Sequence, residues 1–450
     1  MKPIYKILSA VLLTTMLIAC SDDDDDNNTG ATDPGNIVEV AEANGSFTTL
    51  VAALKATGLD AVLADETRNF TVFAPTDAAF TALGDISGLS TEELSDILLY
   101  HVVADAEVDS TATISASGTT LTMANTDDVG IALQGNDLFI NASQVVTPDV
   151  DANNGVIHVI NAVLLPTTDD PASGTIADVA TANGNFTTLL SALATTGLDA
   201  TLADMSGKFT VFAPTDAAFA AIDISGLTVN QLRDVLLYHV ISGAEVNAAA
   251  ATAIAGNTVE MGNGDDLALS LSGSELFANL SGISTPNVDA SNGIIHVIDT
   301  VLLPPAEISA PSQNIVEIAV TDGNFTKLVA ALQATGLDTT LTDATAEFTV
   351  FAPTDAAFDA LQTDLGLSDA ELLALPNLAD ILTKHVVAGA VDSVTAFTLN
   401  GVDVTTVNGE TVAIAIDSGE FSVDDAKVTA FDIRATNGII HVIDTVILTD

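Results

Sequence analysis

Six histidines sit at matching places in three successive stretches of the chain: His101 and His158, His239 and His296, His385 and His441. Imidazole titrates near neutrality and ligates metals, so paired histidines invite a metal or proton-transfer reading. Zinc needs three or four ligands and further groups to orient them. Two imidazoles per stretch fall short of that, and no HExxH or CxxC spacing supplies the rest. His158, His296 and His441 each interrupt an apolar run (VIHVI, IIHVI and IIHVI). We read these three as buried structural rings, each needing a backbone group or a corner acid (Asp77 for His158) as hydrogen-bond partner. A ring buried neutral has a folded-state pKa below its unfolded value, so the sequence predicts stability that is lost on acidification.

Carboxylates in alternation offer oxygen ligands of a different kind. The run DVDANNG at 149–155 alternates oxygen ligands as a calcium loop does. However, Asn154 replaces the sixth-position glycine and Ile160 stands where the bidentate glutamate belongs. The second stretch has Asn287 for the first aspartate, and the third places Arg434 inside the run. The sequence therefore predicts a polar hairpin loop, with divalent cations a weak candidate partner. No metal or other cofactor is assigned. GxSxG is absent, and Gly262-Asn263-Gly264 lacks the third glycine of a dinucleotide loop, so we assign no catalytic residue and no enzymatic activity.

The elements that must position these residues recur three times. FAPTDAAF occurs letter for letter at 73–80, 212–219 and 351–358. Before it, Phe47, Leu50, Val51 and Leu54 fall on one helix face, and Gly58 follows as a C-cap. The octapeptide continues a β-branched, aromatic strand that proline ends. Thr76, Thr215 and Thr354 then suit an N-cap, with Asp77, Asp216 and Asp355 in the first turn, where the helix dipole favours negative charge. The octapeptide is thus predicted to be a structural strand-to-helix corner. Capping boxes at 90–93, 228–231 and 368–371 open a second helix that ends in Tyr100-His101, Tyr238-His239 and, in the third copy, Lys384-His385. There an insertion (LALPNL) carries Pro376, which should break the helix. Each copy closes with Asn-Gly, read as a tight positive-φ turn, and a strand apolar on both faces, hence central in a sheet.

Length agrees with this count, since 450 residues correspond to about three domains of ~150. We divide the chain into a leader at 1–19, a tether at 20–35, and domains at 36–166, 174–304 and 313–448. Proline-bearing linkers (TTDDPAS, PAEISAPS) separate the domains. The leader pairs Lys2 and Lys6 with a short apolar run, and LIAC resembles a bacterial lipobox, which implies cleavage before Cys20 and lipid on its thiol. SDDDDDNNTG follows as a solvated tether and looks like the signal that sends some lipoproteins to the outer face of the outer membrane. With 61 acidic against 10 Lys and Arg residues, the net charge of −51 leaves no basic stripe for phosphates and excludes nucleic acid as a partner. The absence of Trp and the presence of only 3 Tyr weaken a sugar platform built on stacked rings.

FTVFAPTDAAF, the Tyr-His pair and NGxIHVIDxVLLP together resemble fasciclin-type (FAS1) domains, three in tandem over nearly all of 36–448. The resemblance implies an α+β fold, a β-sheet wedge packed with several helices in each domain. It further implies extracellular or surface-bound domains associated with adhesion and matrix contact. In animal relatives a Tyr-His motif is associated with receptor-mediated adhesion. Tyr100, His101, Tyr238 and His239 match it, and the third copy keeps only His385. The resulting expectation is a lipid-anchored surface protein mediating adhesion or extracellular-matrix contact with a cell-surface or matrix protein or a polysaccharide. The alternative is an envelope lipoprotein that binds polysaccharide or a small ligand.

Overall fold

The computed structural model describes residues 34–166, 174–305 and 311–449. Cys20, the leader and most of the acidic tether lie outside these residues, as do the two linkers for the most part.

The first domain sets the pattern. Helices α1 (Ile37–Asn44), α2 (Thr48–Thr57) and α3 (Asp60–Leu63) precede strand β1 (Phe70–Pro75). Helices α4 (Asp77–Leu83) and α5 (Thr91–Leu99), strand β2 (Val102–Ala104) and helix α6 (Ser110–Ser115) follow. Strands β3 (Thr119–Thr122), β4 (Asp128–Gln134), β5 (Asp137–Ile140), β6 (Ser143–Ala152) and β7 (Gly155–Ile160) complete it. The sheet order is β2-β1-β7-β6-β5-β4-β3, antiparallel except where β1 runs parallel to β7. β7, apolar but for His158 and buried on both faces, is therefore interior, flanked by β1 and β6. Seven strands in the same order recur in each of the other two domains, giving three α+β units in tandem.

Local chemistry explains the joints. Leu50, Val51 and Leu54 bury one face of α2, and Gly58 caps it at φ 75. The Thr76 side chain accepts from the Ala79 amide, which starts α4 directly after Pro75 and carries Phe80 into the core. In the third domain the proline-bearing insertion splits the second helix into Asp369–Leu373 and Leu378–Lys384.

The Asn-Gly turn departs from the sequence reading. Ala152 pairs with Gly155, so the turn residues are Asn153 and Asn154, and neither has positive φ. Gly155 instead begins β7 at φ 144, where an added Cβ would lie 1.8 Å from the Phe70 carbonyl oxygen. Glycine is present because β1 approaches too closely for any side chain. Asn154 is fully buried: its Oδ1 accepts from Ile37 N, and its Nδ2 donates to the carbonyls of Leu63 and Asp65. One amide therefore ties the hairpin to the entry of α1 and the exit of α3. Asn292 and Asn437 repeat the arrangement.

The domains pack on one another. The helix Ala248–Ala253 of the second lies on β4 of the first, and the helix Ser393–Thr398 of the third lies on strand Asp266–Ser272 of the second. All three meet at Leu271, whose amide donates to Gln134 Oε1 at 2.8 Å and whose carbonyl accepts from Gln134 and Asn400.

Candidate functional site

The two histidines of each domain are clamps of opposite tautomer. His101 follows α5 and is 1% exposed. Its Nδ1–H donates to Ile97 O at 2.7 Å and its Nε2 accepts from Leu164 N at 2.9 Å, tying the end of α5 to the last segment of the domain. His158, on β7, accepts from Asp149 N at Nδ1 and donates from Nε2 to Val108 O at 2.8 Å, while its ring stacks on Phe73. The partner is a backbone carbonyl; Asp77 is elsewhere. His239 and His385 repeat the first arrangement, His296 and His441 the second. Both nitrogens of every ring are committed, so no lone pair is left for a metal or a substrate proton. Burial pushes His101, His239, His296 and His385 down to about 4 and lowers His441, against weaker opposition from their backbone acceptors.

Tyr100 belongs to the same buried layer. Its hydroxyl donates to Asp128 O at 2.8 Å and accepts from Asn141 Nδ2 at 3.0 Å, and Tyr238 does the same with Asp266 and Asn279. Burial raises both phenols to about 12. In the third domain Lys384 occupies the tyrosine's place, 4% exposed, with Nζ 3.2 Å from Glu410 and 4.0 Å from Asp424. None of the Tyr-His or Lys-His side chains is presented to solvent. A partner touching this segment meets its neighbours.

The corner acid has a second task that its position in the octapeptide does not reveal. Phe47, at the N-cap position of α2, is buried and has no side chain able to cap. Asp77 supplies the cap from a distance, accepting from Thr49 N at 2.7 Å, Thr48 Oγ1 at 2.7 Å and Thr48 N at 3.2 Å. Desolvation alone would raise its pKa; the bonds from Thr49 and Thr48 outweigh it, and the carboxyl sits below its ordinary range. Asp216 caps its helix likewise and is drawn down to about 2, first by the Thr188 amide. Asp355 accepts from Lys327 N and Thr326 Oγ1. Thr76, Thr215 and Thr354 cap the following helix. The corner is a two-helix clasp.

Only Asn153 and Asn154 of the calcium-like run form the hairpin turn. Residues 149–152 belong to β6, whose register shifts twice, and Asp149 takes φ 56 there. Its carboxylate accepts from Ser110 N at 2.7 Å and from Ser110 Oγ, joining the strand to α6. Among the described residues no cluster of three or more His, Cys, Asp or Glu side chains is arranged as metal ligands.

Sequence reasoning missed the clefts at the domain junctions. One, of about 350 Å³, lies between Val163, Leu164 and Leu165 of the first domain and Ala248, Thr252 and Pro286 of the second. The other, of about 420 Å³, lies between Leu280, Leu303 and Pro304 and the third domain's Val394, Phe397 and Phe431. Leu165 and Leu303 are equivalent and half exposed. Their signal is the apolar LLP ending of the first two repeats, which reads as strand but runs past the sheet.

Among the described residues no helix is long and apolar enough to cross a membrane. Transforming growth factor-beta-induced protein ig-h3 of Sus scrofa is 29% identical over 433 residues, 93% of this chain. The chain spans 58% of that relative's length. Cell surface glycolipoprotein MPB83 of Mycobacterium bovis is 36% identical over 144 residues, 30% of this chain and 63% of that protein. A solved FAS1 domain pair from the insect cell adhesion molecule fasciclin I covers 60% of this chain and 98% of its own, at TM-score 0.29 and 19% identity. The fasciclin domain model matches residues 45–166, 184–304 and 323–449, and the chain therefore belongs to the fasciclin domain family, three copies in tandem.

Proposed function

We propose that this chain is a lipid-anchored surface protein, held through Cys20, whose three domains mediate adhesion or matrix contact by their exposed faces. The observation that carries the reading is that every histidine and tyrosine at the matched motifs is buried and hydrogen-bonded, so that among the described residues these motifs support the acidic exposed faces from within. Such a scaffold presents surfaces, and three of them fixed at short spacing raise effective concentration on a repetitive partner. Likeness to a cell surface glycolipoprotein supports the location, as does the lipobox-like LIAC. Within this reading the Tyr-His pairs and the Thr-Asp corners hold the presenting surface in shape.

The test is binding of the full chain and of single domains to immobilised matrix proteins and polysaccharides. Adhesion by multivalency requires the full chain to bind at least about a hundred-fold more tightly than one domain. Equal affinities would instead favour the second reading, a small-ligand protein using the junction clefts, whose 350 and 420 Å³ fall in the ordinary range for ligand sites. Protease treatment of intact cells tests the location: domains digested without lysis are outside.

A further inference from the structure

The two domain junctions of this chain pair the same two elements, a strand of one domain under a helix of the next, with closer spacing at the first. At the first junction the helix Ala248–Ala253 sits so close to β4 that a Cβ on Gly130 would lie 2.0 Å from Ala249 O. Ala132, two residues on, is buried in a cluster built mainly from the second domain. At the second junction the equivalent strand face, Ala268 and Ser270, is buried, and Ala268 and Phe277 share a cluster with Phe397 of the docked helix. Domain n thus offers a strand face and domain n+1 covers it with a helix. The two halves are different surfaces, which makes the contact heterologous. Among the described residues, the strand face of the third domain and the helix face of the first are left without such a cover.

Both unused halves are recognisable. In the third domain the equivalent strand Thr411–Asp417 has Ala413 exposed and Ala415 half-buried, where Gly130, Ala132, Ala268 and Ser270 are buried. In the first domain α6 leaves Thr111 exposed and Ile114 43% exposed, where their counterparts Ala249, Val394, Thr252 and Phe397 are buried. Their sizes match the second junction: alanine on the strand opposite β-branched Val394 and large apolar Phe397 there, alanine opposite Thr111 and Ile114 here. The charge sets the conditions for such a contact, since two copies at net −51 repel until salt screens them.

We propose that copies of this chain associate head to tail, the α6 face of one first domain docking on the Thr411–Asp417 face of another's third domain and continuing the register of the internal junctions. The occupant of both open faces is a second copy. Sedimentation velocity of the chain from residue 21 onward, over a concentration series, tests it. The proposal expects species larger than monomer at about 0.5 M salt that weaken at about 0.05 M. Ala413→Arg removes the strand end and Ile114→Asp the helix end, so each variant alone should associate at least roughly ten-fold more weakly. Each variant retains the half the other lacks, so an equal mixture should stop at the dimer. Both positions are solvent-facing, and unchanged melting temperatures confirm folding. Ala413→Glu and Thr111→Arg serve as the second pair. A wild-type chain that stays monomeric at high salt overturns the proposal. So does a single variant that associates like wild type, or a mixture that remains monomeric or grows past dimers.

Discussion

The socket behind the second helix is filled in two ways. In the first and second domains a phenol meets an amide: Tyr100 with Asn141, Tyr238 with Asn279. In the third, Lys384 meets Asp424 and Glu410. The backbone around it does not change. Asn141, Asn279 and Asp424 all take positive φ, and each accepts from the facing strand amide through Oδ1. Only the other end of that side chain differs. It is a donor toward a tyrosine oxygen and an acceptor toward an ammonium. Glu410, standing where Asp127 and Asp265 stand, adds the extra methylene that reaches the cation. Three positions far apart in sequence therefore change together, because an unpaired polar end in this socket costs more than either complete set.

What the copies share should respond most strongly. His101, His239, His296 and His385 have folded pKa values near 4 against an unfolded value of about 6.5. Their stabilising contribution is complete above the unfolded value and is lost as pH falls from about 6.5 to 4, on the order of 3 kcal/mol per ring. The second domain holds two such rings, His239 and His296, so its loss should be about twice that of a single ring. Calorimetric melting between pH 7 and 4 should show a steep fall; a flat profile would contradict burial of neutral rings. His385 is pushed down chiefly by burial, with a smaller share from the Lys384 ammonium beside it.

What the copies do not share should come next. Glu410→Ala with Asp424→Ala leaves a nearly buried ammonium unpaired, and domain three should lose about 3 kcal/mol in denaturant unfolding. Replacing the whole set is the sharper comparison. Lys384→Tyr alone should destabilise by about 2 kcal/mol, and adding Asp424→Asn should recover at least about 1 kcal/mol as the amide–phenol bond forms. Additive losses would mean that the socket does not couple these positions. Tyr238→Phe, which strands Asn279 Nδ2 and the Asp266 carbonyl, should cost about 1–2 kcal/mol.

Much of this was legible because local chemistry and repetition agreed. The helix face of Phe47, Leu50, Val51 and Leu54, the caps at Thr76 and Gly58, the Pro376 break and the interior β7 each follow from residue type at a fixed offset. Long-range partners were not legible. Nothing near Asn154 announces that its amide holds Ile37 and Leu63, and nothing near Asp149 announces Ser110. The turn was misplaced by one residue because Asn-Gly suggests positive φ at both positions, whereas here the glycine answers the close approach of Phe70. The junction clefts need three-dimensional neighbours altogether.

Asp77 lies on that boundary and carries the smallest effect. Its first-turn place in α4 is readable, and the expected gain there is a weak charge–dipole term. Its bonds to the start of α2 are not readable, because the N-cap residue of that helix is Phe47, kept apolar by the core. Asp77→Asn keeps one carbonyl oxygen and so at most part of the three bonds. Asp77→Ala keeps none, and should cost roughly 1 kcal/mol, the usual value of a lost cap. If Asp77 served only its own helix, Asn and Ala would be nearly alike and amide exchange in α2 would be unchanged. A clasp predicts instead a graded loss, with faster exchange at Thr48, Thr49 and the following turn of α2.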